Sequence, residues 1–395
     1  MTASRFARAL AATAIVAGLA LGAAAAAETS IAELTFDLQA LQARIAAGDK
    51  AAYASQAERI AAIGAAIVAA KPDVWQSKRE TDAVVIYLLS GGQPRDVVRL
   101  LESGAVPSSE IPLIRGSLAY ALGNEAEAEK RLKGIAARRL PARLAGPMAF
   151  AQSVIETGSD PAKAIALLDL ARLLAPGTLV EEAALRREIM LHADRRDVDS
   201  VAQLARQYAS RFGASIYADS FLQTLAGALA QTGAIESAAN LDKFQPFFAA
   251  LNPDMRRVFL LGLARAATVS GRFEVAASAA AAALEGVAAD SVEAARGRLY
   301  ESMARILTAD YDAGLAELRS VPQTKLDRHD QELLVAARGV AAFLRQPPES
   351  SAAQPIDVEA VVKADPNDAA AQTIVLAEAA LGRTASLAAA PKGTL

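Results

Sequence analysis

Residues 160 to 190 read DPAKAIALLDLARLLAPGTLVEEAALRREIM, and this stretch decides the fold class. Asp160 is an N-cap residue, and Pro161 suits the first helical turn, where a fixed φ and a missing N–H cost nothing. Ala164, Leu167, Leu168, Ala171 and Leu174 recur every three or four positions, while Ile165, Leu170 and Leu173 widen the apolar face until only Lys163, Asp169 and Arg172 remain for solvent. A helix of that kind needs neighbours on more than one side. Pro176-Gly177 stops it, and Thr178 to Glu181 forms a capping box that opens a second helix carrying Glu182 and Arg186 as an i,i+4 pair. The expected unit is helix, short break, helix.

The same punctuation recurs on both sides. Turn signals stand at Gly91, Gly123, Gly158, Arg196, Gly233, Gly271 and Asp310, at intervals of 32, 35, 38, 37, 38 and 39 residues. Each is followed by a short apolar-periodic run, such as Asn124-Glu-Ala-Glu-Ala or Asp197-Val-Asp-Ser-Val. Helix pairs repeating at that period predict an all-α chain of the irregular tetratricopeptide-like α-solenoid type, in which one pair buries its apolar face only against its neighbours. The exact Trp-x2-Leu-Gly-x2-Tyr signature is missing, which makes the repeat irregular. Upstream, helices are expected at Ile31 to Ala47, Lys50 to Ala70 and Val74 to Leu89, the third capped by Asp73 and carrying the single tryptophan, Trp75, as a core filler.

The ends differ from the middle. Residues 1–27 combine Arg5 and Arg8 with nineteen small and apolar residues from Ala9 to Ala27, which predicts a secretory signal peptide cleaved between Ala27 and Glu28. Residues 28–345 are expected to form the helical repeat domain. Residues 346–395 open with Gln346-Pro-Pro-Glu-Ser-Ser and read as a linker and weakly helical tail, with one last helix expected from Asp368 to Leu381.

Composition narrows the function classes. The chain has 395 residues, 53% of them hydrophobic and 5% aromatic, and its alanine-rich make-up favours close helix packing over sheet. Without the leader there are 39 basic and 44 acidic residues, a net charge of −5, which argues against nucleic acid as a partner. There is no cysteine for a disulfide, a thiolate or a lipid anchor. An exported chain without such an anchor is expected in the periplasm.

Chemistry-bearing motifs are scarce. His192 and His329 lie in different helical units, so no paired metal-ligand set is expected; His192 reads as a half-buried, satisfied side chain and His329 as a solvated helix start. Gly91-Gly92 precedes a helix but lacks the lysine and upstream strand of a phosphate loop. The reading is a non-enzyme without cofactor, metal or small-molecule substrate. Arg186, Arg187, Arg195 and Arg196 form the least compensated basic group and are the candidate partner-docking patch.

Leu167 to Ile189, LLDLARLLAPGTLVEEAALRREI, resembles the MotC flagellar motility family of rhizobia and related alphaproteobacteria. So do VVIYLLSGGQPRDVVRLL at 84–101, GSLAYALGNEAEAEKRL at 116–132 and RFGASIYADSF at 211–221. The resemblance implies a periplasmic, non-enzymatic motor protein that interacts with the stator protein MotB and is needed for motor rotation or its control, within motility and chemotaxis. The rival expectation is a general periplasmic scaffold for an envelope or secretion complex. A murein hydrolase would need a catalytic domain with a glutamate in a sugar-binding cleft, and nothing after Arg345 is long enough for one.

Overall fold

The computed structural model describes residues 30–307 and 310–345, and within them the chain is helical with no strand. The expected leader with its Ala27/Glu28 cleavage site, and the expected linker and tail from 346, lie outside the described residues. Contacts divide the chain into two units, 1–338 and 339–395; the described part of the second, 339–345, is the C-terminal end of one helix.

In chain order the helices are α1 (Ile31–Ala46), α2 (Lys50–Ala69), α3 (Lys78–Leu89), α4 (Pro94–Glu102), α5 (Ile111–Ala121), α6 (Glu125–Leu132), α7 (Ala142–Glu156), α8 (Pro161–Leu174) and α9 (Leu179–Asp194). After these come α10 (Val198–Phe212), α11 (Ala218–Thr232), α12 (Ala238–Asp242), α13 (Gln245–Ala250), α14 (Pro253–Val269), α15 (Phe273–Leu284), α16 (Val292–Ile306), α17 (Tyr311–Ser320) and α18 (Arg328–Leu344). Helices packed on their successors include α1/α2, α5/α6, α7/α8, α8/α9, α14/α15 and α16/α17, and several next-but-one helices also meet, as in α7/α9, α9/α11 and α14/α16.

One hook joins many of these pairs. After α1, α3, α5, α9 and α14 the C′ residue is left-handed: Gly48, Gly91, Gly123, Arg196 and Gly271, with φ between 55° and 95°. The following N–H returns to the carbonyl five residues earlier, as in Gly92 to Tyr87 (2.8 Å), Asn124 to Ala119 (2.9 Å), Asp197 to His192 (3.0 Å) and Arg272 to Ala267 (2.8 Å). This Schellman closure satisfies the last carbonyls of the first helix and aims the chain back as the second. Asp49, Asn124 and Asp197 then cap the new helix by accepting from Ala52, Glu127 and Ser200. Four of the hooks use glycine. Among the described residues Arg196 is the non-glycine residue at positive φ (55°), a conformation that costs an L-residue about 1 kcal/mol or more.

Two local expectations are corrected and a third is refined. The helix expected from Val74 begins at Lys78: Pro72 to Gln76 is a separate 3-10 turn that buries Trp75, and Ser77 breaks the run. The expected break at Gly158 stands between α7 and α8, closed without a left-handed residue by the Asp160 N–H bonding the Glu156 carbonyl at 2.8 Å. After Gly233 the second helix is replaced by two short ones, α12 and α13, where buried Phe244 packs on Phe247 and Phe248 and those two turn inward on Phe259, with ring centroids 5.1 Å apart for Phe247 and Phe259.

The first hairpin does more than begin the array. Helix α1 packs on α2, α3 and α9, and it reaches the start of α7 through side chains. Leu38 and Ile45 on it are fully buried. Pro147 inside α7 has no N–H, so the Arg143 carbonyl one turn earlier is freed from the helix ladder. The Gln39 amide donates to that carbonyl at 2.9 Å, and the Arg143 guanidinium lies 3.7 Å from the Phe36 ring centre. At the other end of the hairpin, a Cβ on Gly48 would stand 2.3 Å from the Ala214 carbonyl oxygen, and Tyr53 meets Tyr217 edge to face at 6.1 Å. Residues 31 to 217 therefore close on themselves.

Candidate functional site on helix α9

Helix α9 and the turn after it carry the residues singled out from sequence. Asp160 caps α8 by accepting from the Lys163 N–H at 2.9 Å, and Thr178 Oγ1 accepts from the Glu181 N–H at 3.4 Å. The capping box is modified: the Glu181 carboxylate reaches the N–H of Gly177 rather than of Thr178, and it also takes a bond from Arg211 at 2.7 Å. That bond ties α9 to α10.

Glu182 points into the core with no exposure of its side chain. Tyr208 donates to it at 3.0 Å, while Arg186 Nε stands 4.0 Å away and makes no hydrogen bond, so the expected i,i+4 pair is secondary to a tyrosine one helix on. Burial pushes the Glu182 carboxyl above the ordinary glutamate range against the opposing pull of Ser215, Arg186 and Tyr208. Burial raises Glu188 in the same sense, opposed by Arg172, which bonds it at 2.7 Å and also holds Gln207 at 2.6 Å. Three acidic side chains of α9 are thus internal ties between α8, α9 and α10.

The four candidate arginines part company. Arg186 is half-buried, with its guanidinium 5.2 Å from the Tyr217 ring centre, and Arg187 is half-buried and donates to Thr157 at 2.9 Å. Both serve contacts inside the stack. Arg195 and Arg196 are exposed on the turn that ends α9. Arg196 reaches 3.3 Å to Glu236, just past the next turn of the array at Gly233. Sequence reasoning missed Arg272, whose guanidinium is brought to the same place by the Gly271 hook: a Cβ on Gly233 would lie 2.9 Å from Arg272 Nη2, 2.9 Å from Glu236 Oε1 and 3.6 Å from Arg196 Cζ. The signal was present in the 37- and 38-residue spacing of 196, 233 and 271, which puts the three turns in line.

His192 is half-buried with Nδ1 3.0 Å from Asp197 Oδ2, the carboxylate that caps α10. Asp197 is held below the ordinary aspartate range, first by its bonds with Ser200 and against the cost of burial, with His192 adding to the same effect. His329 is exposed in the first turn of α18. Among the described residues, no group of three or more histidines and carboxylates is arranged to hold a metal ion. Among the described residues no helix is long and apolar enough to cross a membrane. What this site can do is present cationic donors to a partner from a rigid edge.

No solved structure matches the chain. A curated relative, chemotaxis protein MotC of Rhizobium meliloti (strain 1021), is 29% identical over 357 residues, covering 88% of this chain and 81% of its own length. The family model described as chemotaxis protein MotC matches residues 1–392. The motifs at 84–101, 116–132, 167–189 and 211–221 all fall within that match, and the chain belongs to the MotC family of motility and chemotaxis proteins.

Proposed function

We propose that this chain is an exported, non-catalytic flagellar-motor protein that works in the periplasm by docking on the stator protein MotB, and that it supports or tunes motor rotation. The family match over residues 1–392 carries this reading, because it runs from the leader-like first residues through the whole helix array. The array is read as an irregular tetratricopeptide-like α-solenoid, supported by the recurring left-handed hook and by the packing of many helices on their successors and of several on their next-but-one neighbours. Its arginines belong to the docking role, with Arg195 and Arg196 on the outside and Arg186 and Arg187 supporting α9 from within.

Deleting the gene tests the motor role. Cells are expected to assemble flagella yet swim slowly or not at all, and normal swimming would remove that role. Direct docking is tested by titrating the purified protein against the periplasmic part of MotB. A bound complex is expected, and no association at high micromolar concentration would separate the chain from the stator.

A further inference from the structure

We infer that the edge formed by the turns at Arg196, Gly233 and Gly271 is a docking site for an acidic segment of a partner protein, with Glu236 of this chain holding the place of the partner's carboxylate. This deepens the reading of the chain as a binding module, and it does not depend on which protein is bound.

Three observations converge. Arg196 occupies a left-handed position that glycine fills in the equivalent hooks at 48, 91, 123 and 271, so a strained residue is retained where a relaxed one fits. Its side chain and that of Arg272 are brought over the same buried backbone at Gly233, within 3.6 and 2.9 Å of where a Cβ would stand. Between them stands an exposed carboxylate, Glu236, 3.3 Å from Arg196. Arg196 already holds a carboxylate here, and Arg272 beside it is a second guanidinium that an incoming carboxylate can engage; paired guanidinium forks recognise carboxylates, and the chain's own glutamate shows the group Arg196 accepts.

The surrounding charges leave the donors available. Arg195 and Arg272 make no ion pair among the described residues, and the Arg196 pair is solvent-exposed and therefore weak. Asp194 is the exposed acid beside Arg195, whereas Asp197 is engaged by His192 and Ser200, and Asp199 by Lys243 at 2.8 Å. An acidic side chain from a partner can displace Glu236 and bridge Arg196 to Arg272. A partner with several acids spaced along an extended segment also reaches Arg195.

The test sets binding against stability. The full-length protein is titrated with a fluorescein-labelled peptide of alternating glutamate and serine, with a glutamine-for-glutamate control, at low and moderate salt. Binding of the acidic peptide is expected to weaken with salt. Arg196→Gly and Arg272→Gln are each expected to weaken it about two- to fivefold, the range of a single exposed ion pair. Glu236→Gln is expected to tighten it, because the internal competitor is gone. Arg196→Gly is expected to melt at the same temperature as the parent or higher, so lost binding cannot be charged to lost folding. Unchanged peptide affinity in Arg196→Gly, or weaker affinity in Glu236→Gln, overturns the proposal. So does preferential binding to phosphatidylglycerol vesicles, which would make the edge a membrane contact. Failure of MotB binding alongside retained peptide binding removes the partner and keeps the site.

Discussion

Residues 31–217 and residues 218–338 follow one helix-turn-helix rhythm but are tied together at different distances along the chain. In the first region Gln39 bonds the carbonyl of Arg143 across 104 positions, and the α1/α2 turn presses on Ala214. In the second, the main polar tie is Asp330, fully buried, which takes Arg296 at 2.8 Å and the Tyr300 hydroxyl at 2.8 Å, with Arg265 at 3.6 Å; Arg296 is 34 positions away. A region closed by distant contacts unfolds as a block. A region held by near neighbours frays from its end.

The sharpest way to break this contrast is Asp330→Ala. It leaves Arg296 and Tyr300 without their buried acceptor, and removing one partner of such a pair costs about 3–5 kcal/mol. Hydrogen exchange should accelerate in α14, α16 and the start of α18 while α1, α3 and α7 keep their protection. Uniform acceleration throughout would show that the two regions share one unfolding unit.

The reciprocal experiment lies at Gly48. Its φ of 95° and the Ala214 oxygen 2.3 Å from an added Cβ predict a loss of roughly 3 kcal/mol for Gly48→Ala, combining left-handed strain with overpacking. Gly271→Ala in the second region meets open space and should cost about 1 kcal/mol, from strain alone. Equal costs in a denaturant titration would remove closure by the hairpin as a feature of the first region.

A finer probe is the pair Gln39 and Pro147. Gln39→Ala should cost about 1 kcal/mol, the value of a hydrogen bond to an otherwise freed carbonyl. In a Pro147→Ala background the restored N–H competes for that carbonyl, so the same substitution should cost less. Additivity in the double-mutant cycle would mean that the freed carbonyl does not recruit α1.

The smallest expected effect is a slope. Burial raises the Glu182 pKa, so the folded state holds the proton more tightly than the unfolded chain does. Stability then falls as pH rises from the ordinary glutamate value of about 4.3 through the raised folded value, and is flat above it. Glu182→Gln should flatten that fall and leave the neutral-pH protein as stable as the parent or more so. A variant that keeps the parent slope would assign the titration to Glu188, which is shifted the same way.

Much of this was legible in the sequence for a local reason. Asp160, Thr178 and Asp197 cap helices because their side chains bond N–H groups three residues on, and glycine recurs at the hooks because the left-handed region is cheap for it. Helix content, the recurring turns and the family motifs depend on such short-range patterns. They misled where a tertiary contact overrode them: Trp75 sank into the core within its own turn, and three phenylalanines broke the expected helix after Gly233.

Charge at the site was legible only as an inventory. A run of arginines does not say which guanidinium is inside the stack, since adjacent helix residues point about 100° apart. The structure turned Arg186 and Arg187 inward to Tyr217 and Thr157, left Arg195 and Arg196 outside, and brought in Arg272 from two turns along the array. The amino-acid sequence by itself determined the helices, their caps and the rhythm of their breaks, because those follow from backbone hydrogen bonds within a few residues. Only the tertiary structure decided that the first hairpin closes on α7 and α9, and that Arg196 and Arg272 meet over Gly233, because both depend on where distant turns come to lie once the helices have packed.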